Sequence, residues 1–211
     1  MGLRELKRER TRRLIADKAF ELFSDHGFGR TTVEQIAAAA EVGPSTLYRY
    51  FPTKETLVLE FVEESLMGAV AWFHEQPPVD LPDGLQAVIE HVLDQLDANP
   101  DRVRAVYDLA DHTPSVSAQL NDLIWQFRNA LAAELTGRLS GQDPQLVEFT
   151  ASLSAGSVMN IIETVVRMWV DNPDGVEVKV LARRAMGLLR GGGIPLPGTA
   201  SCPGDNAVHG P

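Results

Sequence analysis

Apolar residues recur at three- and four-residue spacing along nearly the whole chain, with no Asn-Gly hairpin signal and almost no alternating run, so the sequence reads as all-α. Ile15, Ala16, Ala19, Phe20 and Phe23 form the stripe of a first helix, which Gly27 closes after Asp25 and His26. Thr31 with Glu34, or Thr32 with Gln35, makes a capping box for a short second helix that ends near Ala40. Pro44, in the favoured first-turn position, opens a third through Tyr50; Pro52 and Thr53 end it and cap a fourth at Lys54. The later helices are longer. Proline breaks place them at about 54–75, 83–98, 100–111, 116–140, 144–170 and 176–190, because proline cannot donate to a helix ladder and biases its predecessor away from helix. Val176, Val178 and Val180 alternate with Glu177 and Lys179 as an edge strand would, yet Val178, Leu181, Ala182, Ala185 and Leu189 keep helical spacing, which favours helix. From Gly191 on the residues are glycine, proline and small polar types, expected to stay disordered.

The pattern divides the chain into a small helical domain over 1–56, a larger one over 57–190 and a tail over 191–211. Charge sharpens the division. The formal net charge is −10, but residues 1–56 hold 10 Lys and Arg against 8 Asp and Glu, whereas residues 57–211 hold 9 against 21. Arg4, Lys7, Arg8, Arg10, Arg12 and Arg13 crowd the start of the first helix, a local field suited to a polyanion, although a solvated helix face is the plainer reading of such a run. No 18-residue apolar run occurs, since Glu163 and Arg167 interrupt the stretch from Val158 to Val170, and no membrane span is expected. The basic N-terminus lacks a following apolar region, and Leu6 occupies the Ser/Thr position of an acylation pattern. The single cysteine, Cys202, permits no internal disulfide, which suits a reducing cytoplasm. The five histidines lack metal-binding spacing, no Gly-x-Ser-x-Gly occurs, and Gly191 to Gly193 lack the flanking elements of a phosphate loop. Neither catalysis nor a cofactor is expected.

Three short helices, the last two joined by a tight turn from Glu41 to Gly43, match the arrangement that sets a recognition helix in the major groove of DNA. Phe20, Phe23, Phe28, Val33, Ile36, Ala37, Val42, Leu47 and Phe51 can close a small core and leave Ser45, Thr46, Tyr48, Arg49 and Tyr50 on the third helix. Small hydroxyls and an arginine suit base edges, while tyrosine hydroxyls and Lys54 suit phosphates. Tyr48 or Tyr50 can also be simply a core aromatic. The run from Gly27 to Ala37, then Ala40, Val42, Thr46 to Phe51, and Lys54, Glu55 and Leu57, closely resembles the DNA-binding domain of the tetracycline-repressor (TetR) family across residues 10–57. That resemblance implies a homodimeric regulator of transcription that binds double-stranded operator DNA. By the same resemblance Pro44, Ser45, Thr46 and Arg49 contact the groove, Thr32, Tyr48, Tyr50 and Lys54 the backbone, with Arg30 a further candidate. Two positions depart from the family: Glu41 stands where glycine is common, and Gly43 where a serine-type cap is usual.

In the helix over 144–170, Gly156, Asn160, Glu163 and Arg167 share a narrow face and apolar residues cover most of the rest, a wider arc than one packing partner needs. A symmetry mate, expected to meet Val158 and Val165, accounts for the excess, since TetR-like proteins pair their last two helices in a dimer; a central helix of a monomer is the alternative. Glu163 and Arg167 stand in the favourable order for an intrahelical pair, and a ligand-anchoring role for Arg167 is the sharper alternative. Trp72, Phe73, Tyr107, Trp125, Phe127 and Met159 offer bulky apolar material for an effector pocket, with His91, His112 and Arg128 for polar orientation; each can equally be plain core or surface. The segment from Trp72 to Leu189 is diffusely similar to the branch of the family, including regulators of mycofactocin operons, that binds acyl-CoA-like ligands. The competing class is a helical lipid or acyl-ligand binding protein without specific DNA binding. Within regulation, an activator competes with a repressor.

Overall fold

The computed structural model describes residues 2–77, 80–139, 143–172 and 175–193. Among these, nine helices and no strand occur. Helix α1 (Leu3–His26) begins at the start of the chain, so the whole basic run is helical. It stops where Gly27 takes φ 83° and returns its N–H to the Phe23 carbonyl. Thr32, rather than Thr31, caps α2 (Val33–Ala39), with a full capping box to Gln35. Thr31 is buried, its hydroxyl bonded to the Leu22 and Gly27 carbonyls at 3.1 and 2.9 Å.

Between α2 and α3 (Pro44–Tyr50) the chain turns sharply. The Val42 N–H reaches back to the Ala37 carbonyl at 2.9 Å and that of Glu41 to Ala38 at 3.1 Å, a Schellman closure. This closure places its middle residue in the left-handed region, and Glu41 accordingly has φ 54°. The turn therefore keeps its geometry without glycine and carries the strain in Glu41.

Thr53 caps α4 (Lys54–Glu75), and α5 (Leu81–Asp97), α6 (Pro100–His112), α7 (Pro114–Arg138), α8 (Pro144–Asp171) and α9 (Val178–Arg190) follow. Prolines stand at the first or second position of α5 to α8; α6 and α8 start where expected, whereas α5 and α7 start at Leu81 and Pro114, ahead of the expected 83 and 116. The valine alternation before α9 resolves as helix, with Glu177 at the cap. Of the expected disordered tail, residues 194–211 lie outside the described residues.

Two hydrophobic cores form. The smaller joins Ile15 and Ala19 of α1, Ile36 of α2 and Leu47 of α3 to Phe51 and Leu57. The larger gathers α4 to α9 around Phe73, Phe127, Leu131 and Ile162. Helix α4 serves both, with Leu57 in the first core and Leu59 in the second. Helix α8, 28 residues long, is by length and composition apolar enough to cross a membrane despite Glu163 and Arg167. Its packing is that of a bundle helix, with Val158, Ile162, Val165 and Val166 buried in the larger core.

Two expectations for α8 are corrected by this packing. Val158 and Val165, each 2% exposed, face their own core rather than a partner. Leu146, Phe149 and Leu153 are instead half or more exposed on the opposite side. Arg167 does not pair with Glu163; it grips Asp111 of α6 with two bonds of 2.8 and 3.0 Å and lies over the Tyr107 ring. A carboxylate presented in the plane of the guanidinium takes both donors, which a neighbour on the same helix does not offer here.

Candidate nucleic-acid interface

Helix α3 is anchored from below by Leu47, fully buried, and by Phe51 just after its end. With those two positions fixed, helical geometry turns Pro44, Ser45, Tyr48 and Arg49 outward, and all four are exposed. Thr46 and Tyr50 are half-buried, and Tyr50 packs on the edge of the small core, so it serves partly as a core aromatic. Tyr48 is 48% exposed and free of that role. Gly43 caps the helix through its carbonyl alone.

The expected backbone contacts separate. Thr32 is exposed at the start of α2, where its hydroxyl accepts from the Gln35 N–H at 3.2 Å. Arg30 is exposed and donates from Nε to the His26 carbonyl at 2.7 Å. Lys54 is half-buried at the start of α4. Its Nζ turns inward to the Phe28 and Thr31 carbonyls at 2.7 and 2.9 Å, and stands 4.4 Å from the Phe28 ring centre. Two of the three ammonium donors are thus engaged in tying the loop after α1 to the start of α4.

The structure adds cations that the resemblance did not assign. Arg4, Lys7, Arg8 and Thr11 lie on one face of α1 and line a cleft with Arg49 and Tyr50 of α3. Their i, i+3, i+4 and i+7 spacing was the available signal. Arg12 and Arg13, from the same basic run, are taken up by acids of α4. Arg12 donates to Glu60 at 3.3 Å and to Glu63 at 3.0 Å, while Arg13 meets Glu9 and Glu64. Asp17 of α1 pairs with Arg102 of α6. Burial, then the neighbouring Glu64, holds the Glu60 carboxyl above its usual range despite Arg12.

The proposed effector residues do not converge. Phe73, Phe127 and Met159 are packed into the larger core. Trp72 stacks on His91 with centroids 4.6 Å apart. Tyr107 lines a groove between α6, α7 and α8 with Arg167, and burial pushes its hydroxyl up to about 12. Trp125 is 60% exposed, and His112 and Arg128 are also on the surface. Aromatic content alone could not separate a pocket wall from a filled core.

Residues 15–61 match the model of the bacterial regulatory proteins, tetR family. The transcriptional regulator TcmR of Streptomyces glaucescens is 35% identical over 125 residues, covering 56% of this chain and 55% of the relative. The chain spans little more than half the length of the curated relatives of this kind that it matches. In fold it is similar to a TetR-family regulator from Syntrophomonas wolfei, with a TM-score of 0.64 at 16% identity over 91% of this chain and 99% of the other. It is also similar to Thermus thermophilus FadR, a repressor solved with lauroyl-CoA: the TM-score is 0.57 at 20% identity, over 92% of this chain and 100% of the other.

Proposed function

We propose that this chain, whose N-terminal region belongs to the tetR family of bacterial regulatory proteins, is a homodimeric transcription regulator, in the first instance a repressor that a small amphiphilic effector releases from a palindromic operator. The observation that carries the reading is the pairing of α3, outward-facing at Ser45, Tyr48 and Arg49, with the cationic cleft of Arg4, Lys7 and Arg8 beside it. Groove-directed side chains on a pinned short helix next to phosphate-directed cations are the two parts a sequence reader requires. Residues 1–56 act as the reading head and 57–190 as the effector and dimer region. Arg30, Thr32 and Tyr48 hold the DNA backbone, and Pro44, Ser45, Thr46 and Arg49 face base edges.

The second copy sits on the exposed side of α8, where Leu146, Phe149 and Leu153 are 50%, 62% and 56% exposed. A dimer sets two recognition helices at a fixed separation and so calls for a palindromic site. For the effector, a long acyl chain would have to displace Phe73, Phe127 or Met159 from the larger core, so acyl-CoA binding is tested directly with lauroyl-CoA by calorimetry.

Selection of duplexes from a randomised pool tests the central claim. The expected result is one palindromic sequence, bound as a dimer, with an affinity that falls steeply as salt rises. Weak binding without sequence preference would instead leave a helical lipid or acyl-ligand binding protein. The position of the selected site relative to promoters then separates repressor from activator.

A further inference from the structure

Where α1, α4 and α6 meet, the two cores do not close on each other. A cavity of about 220 Å³ lies there, and none of the residues assigned above to DNA or to an effector lines it. Phe20, Phe23 and Phe28 come from the reading head and its following loop, Phe61 from α4, and Leu109 from α6. All five are only half-buried, although the four rings contribute most when their whole surface leaves water.

Three charged groups interrupt this apolar wall, Arg102, Glu60 and, on the exposed side, Asp108. Arg102 closes one side, lying 4.9 Å from the Phe20 ring centre and paired with Asp17. Glu60 is 3% exposed and receives a single hydrogen bond among the described residues, from Arg12 Nε to Oε1. A carboxylate has capacity for about four such bonds. Its carboxyl is already raised by burial, so it stands to gain from a further donor.

We propose that this seam is a binding site for a compact aromatic molecule of about two rings that carries an O–H or N–H donor, with the rings among the phenylalanines and the donor on Glu60. Size supports the ring count, since an apolar cavity of about 150 Å³ accommodates benzene. The consequence for DNA rests on the regulator reading above: a molecule held here touches the reading head and α6 at once, and alters how one rests on the other. The binding site itself stands without that reading.

The test titrates 1-naphthol and naphthalene into the full chain, followed by ligand-detected NMR. 1-Naphthol is expected to bind about tenfold more tightly than naphthalene, the value of one hydrogen bond to a charged acceptor. Glu60→Met, similar in length but without an oxygen to accept the bond, should abolish that preference. Ala105→Trp, at the exposed rim, and Val58→Phe, in the wall, should each fill the space and weaken both ligands at least tenfold; two variants guard against misfolding of either, which thermal melting reports. Absence of 1-naphthol binding at millimolar concentration, or binding unchanged in both filled variants, would overturn the proposal. Duplex selection distinguishes the two readings. A chain that selects a sequence but fails these titrations loses the seam site alone, and one that binds 1-naphthol but selects no duplex loses the regulator reading alone.

Discussion

Glu41 and Lys54 show how differently single residues can be read. The sequence marks Glu41 as standing where glycine is common, and the structure gives it φ 54°. A left-handed non-glycine residue carries about 1–2 kcal/mol of strain, partly offset by the extra chain entropy glycine brings to the unfolded state. Glu41→Gly should therefore raise unfolding stability by about 0.5–1 kcal/mol in denaturant titration. For Lys54 nothing local signals the fold-back: its acceptors, Phe28 and Thr31, lie more than twenty positions away in the chain. Lys54→Ala should cost about 1–3 kcal/mol of stability, the scale of hydrogen bonds from a charged donor. It should change the salt dependence of DNA binding little. A variant as stable as the parent, with a slope flatter by about one unit, would restore Lys54 as a free phosphate contact.

At the scale of elements, caps and prolines made the helices legible, because these signals act within one turn of where they sit. Thr32, Thr53 and the prolines opening α6 and α8 fall where the sequence places the starts, while α5 and α7 begin slightly earlier than expected. Faces were legible less evenly. Periodicity shows that α1 carries a basic run, but which cations meet α3 and which meet α4 depends on how α1 is rotated against its neighbours. The outcome gives Arg4, Lys7 and Arg8 to the cleft and Arg12 and Arg13 to the acids of α4. Lys7→Ala should flatten the salt slope of operator binding by about one unit while leaving the preferred sequence unchanged. Arg49→Ala should alter the preferred sequence in the same selection.

The whole molecule settles what α8 does with its broad apolar arc. Sequence periodicity finds the arc, but only the packing of α7 against α8 reveals which part the chain itself covers. Leu153→Glu, on the exposed side, should leave the fold melting cooperatively while light scattering reports a monomer. Val158→Glu would place an unpaired charge in the larger core, costing several kcal/mol and unfolding the chain. A Leu153→Glu protein that remains dimeric would move the proposed interface off this face. The same scale brings out a property of α1, one rigid rod that meets α3 at its tip and Arg102 near its middle. From Asp17 to Arg4 the helix rises about 20 Å, so a rotation of about 5° at the Arg102 contact swings the tip by about 1.7 Å. That displacement exceeds the width of the normal hydrogen-bond distance range, about 0.5 Å. The rod thus has mechanical advantage: on the proposed reading, a small rotation at Arg102 is enough to carry Arg4 and Lys7 off the phosphates they would hold.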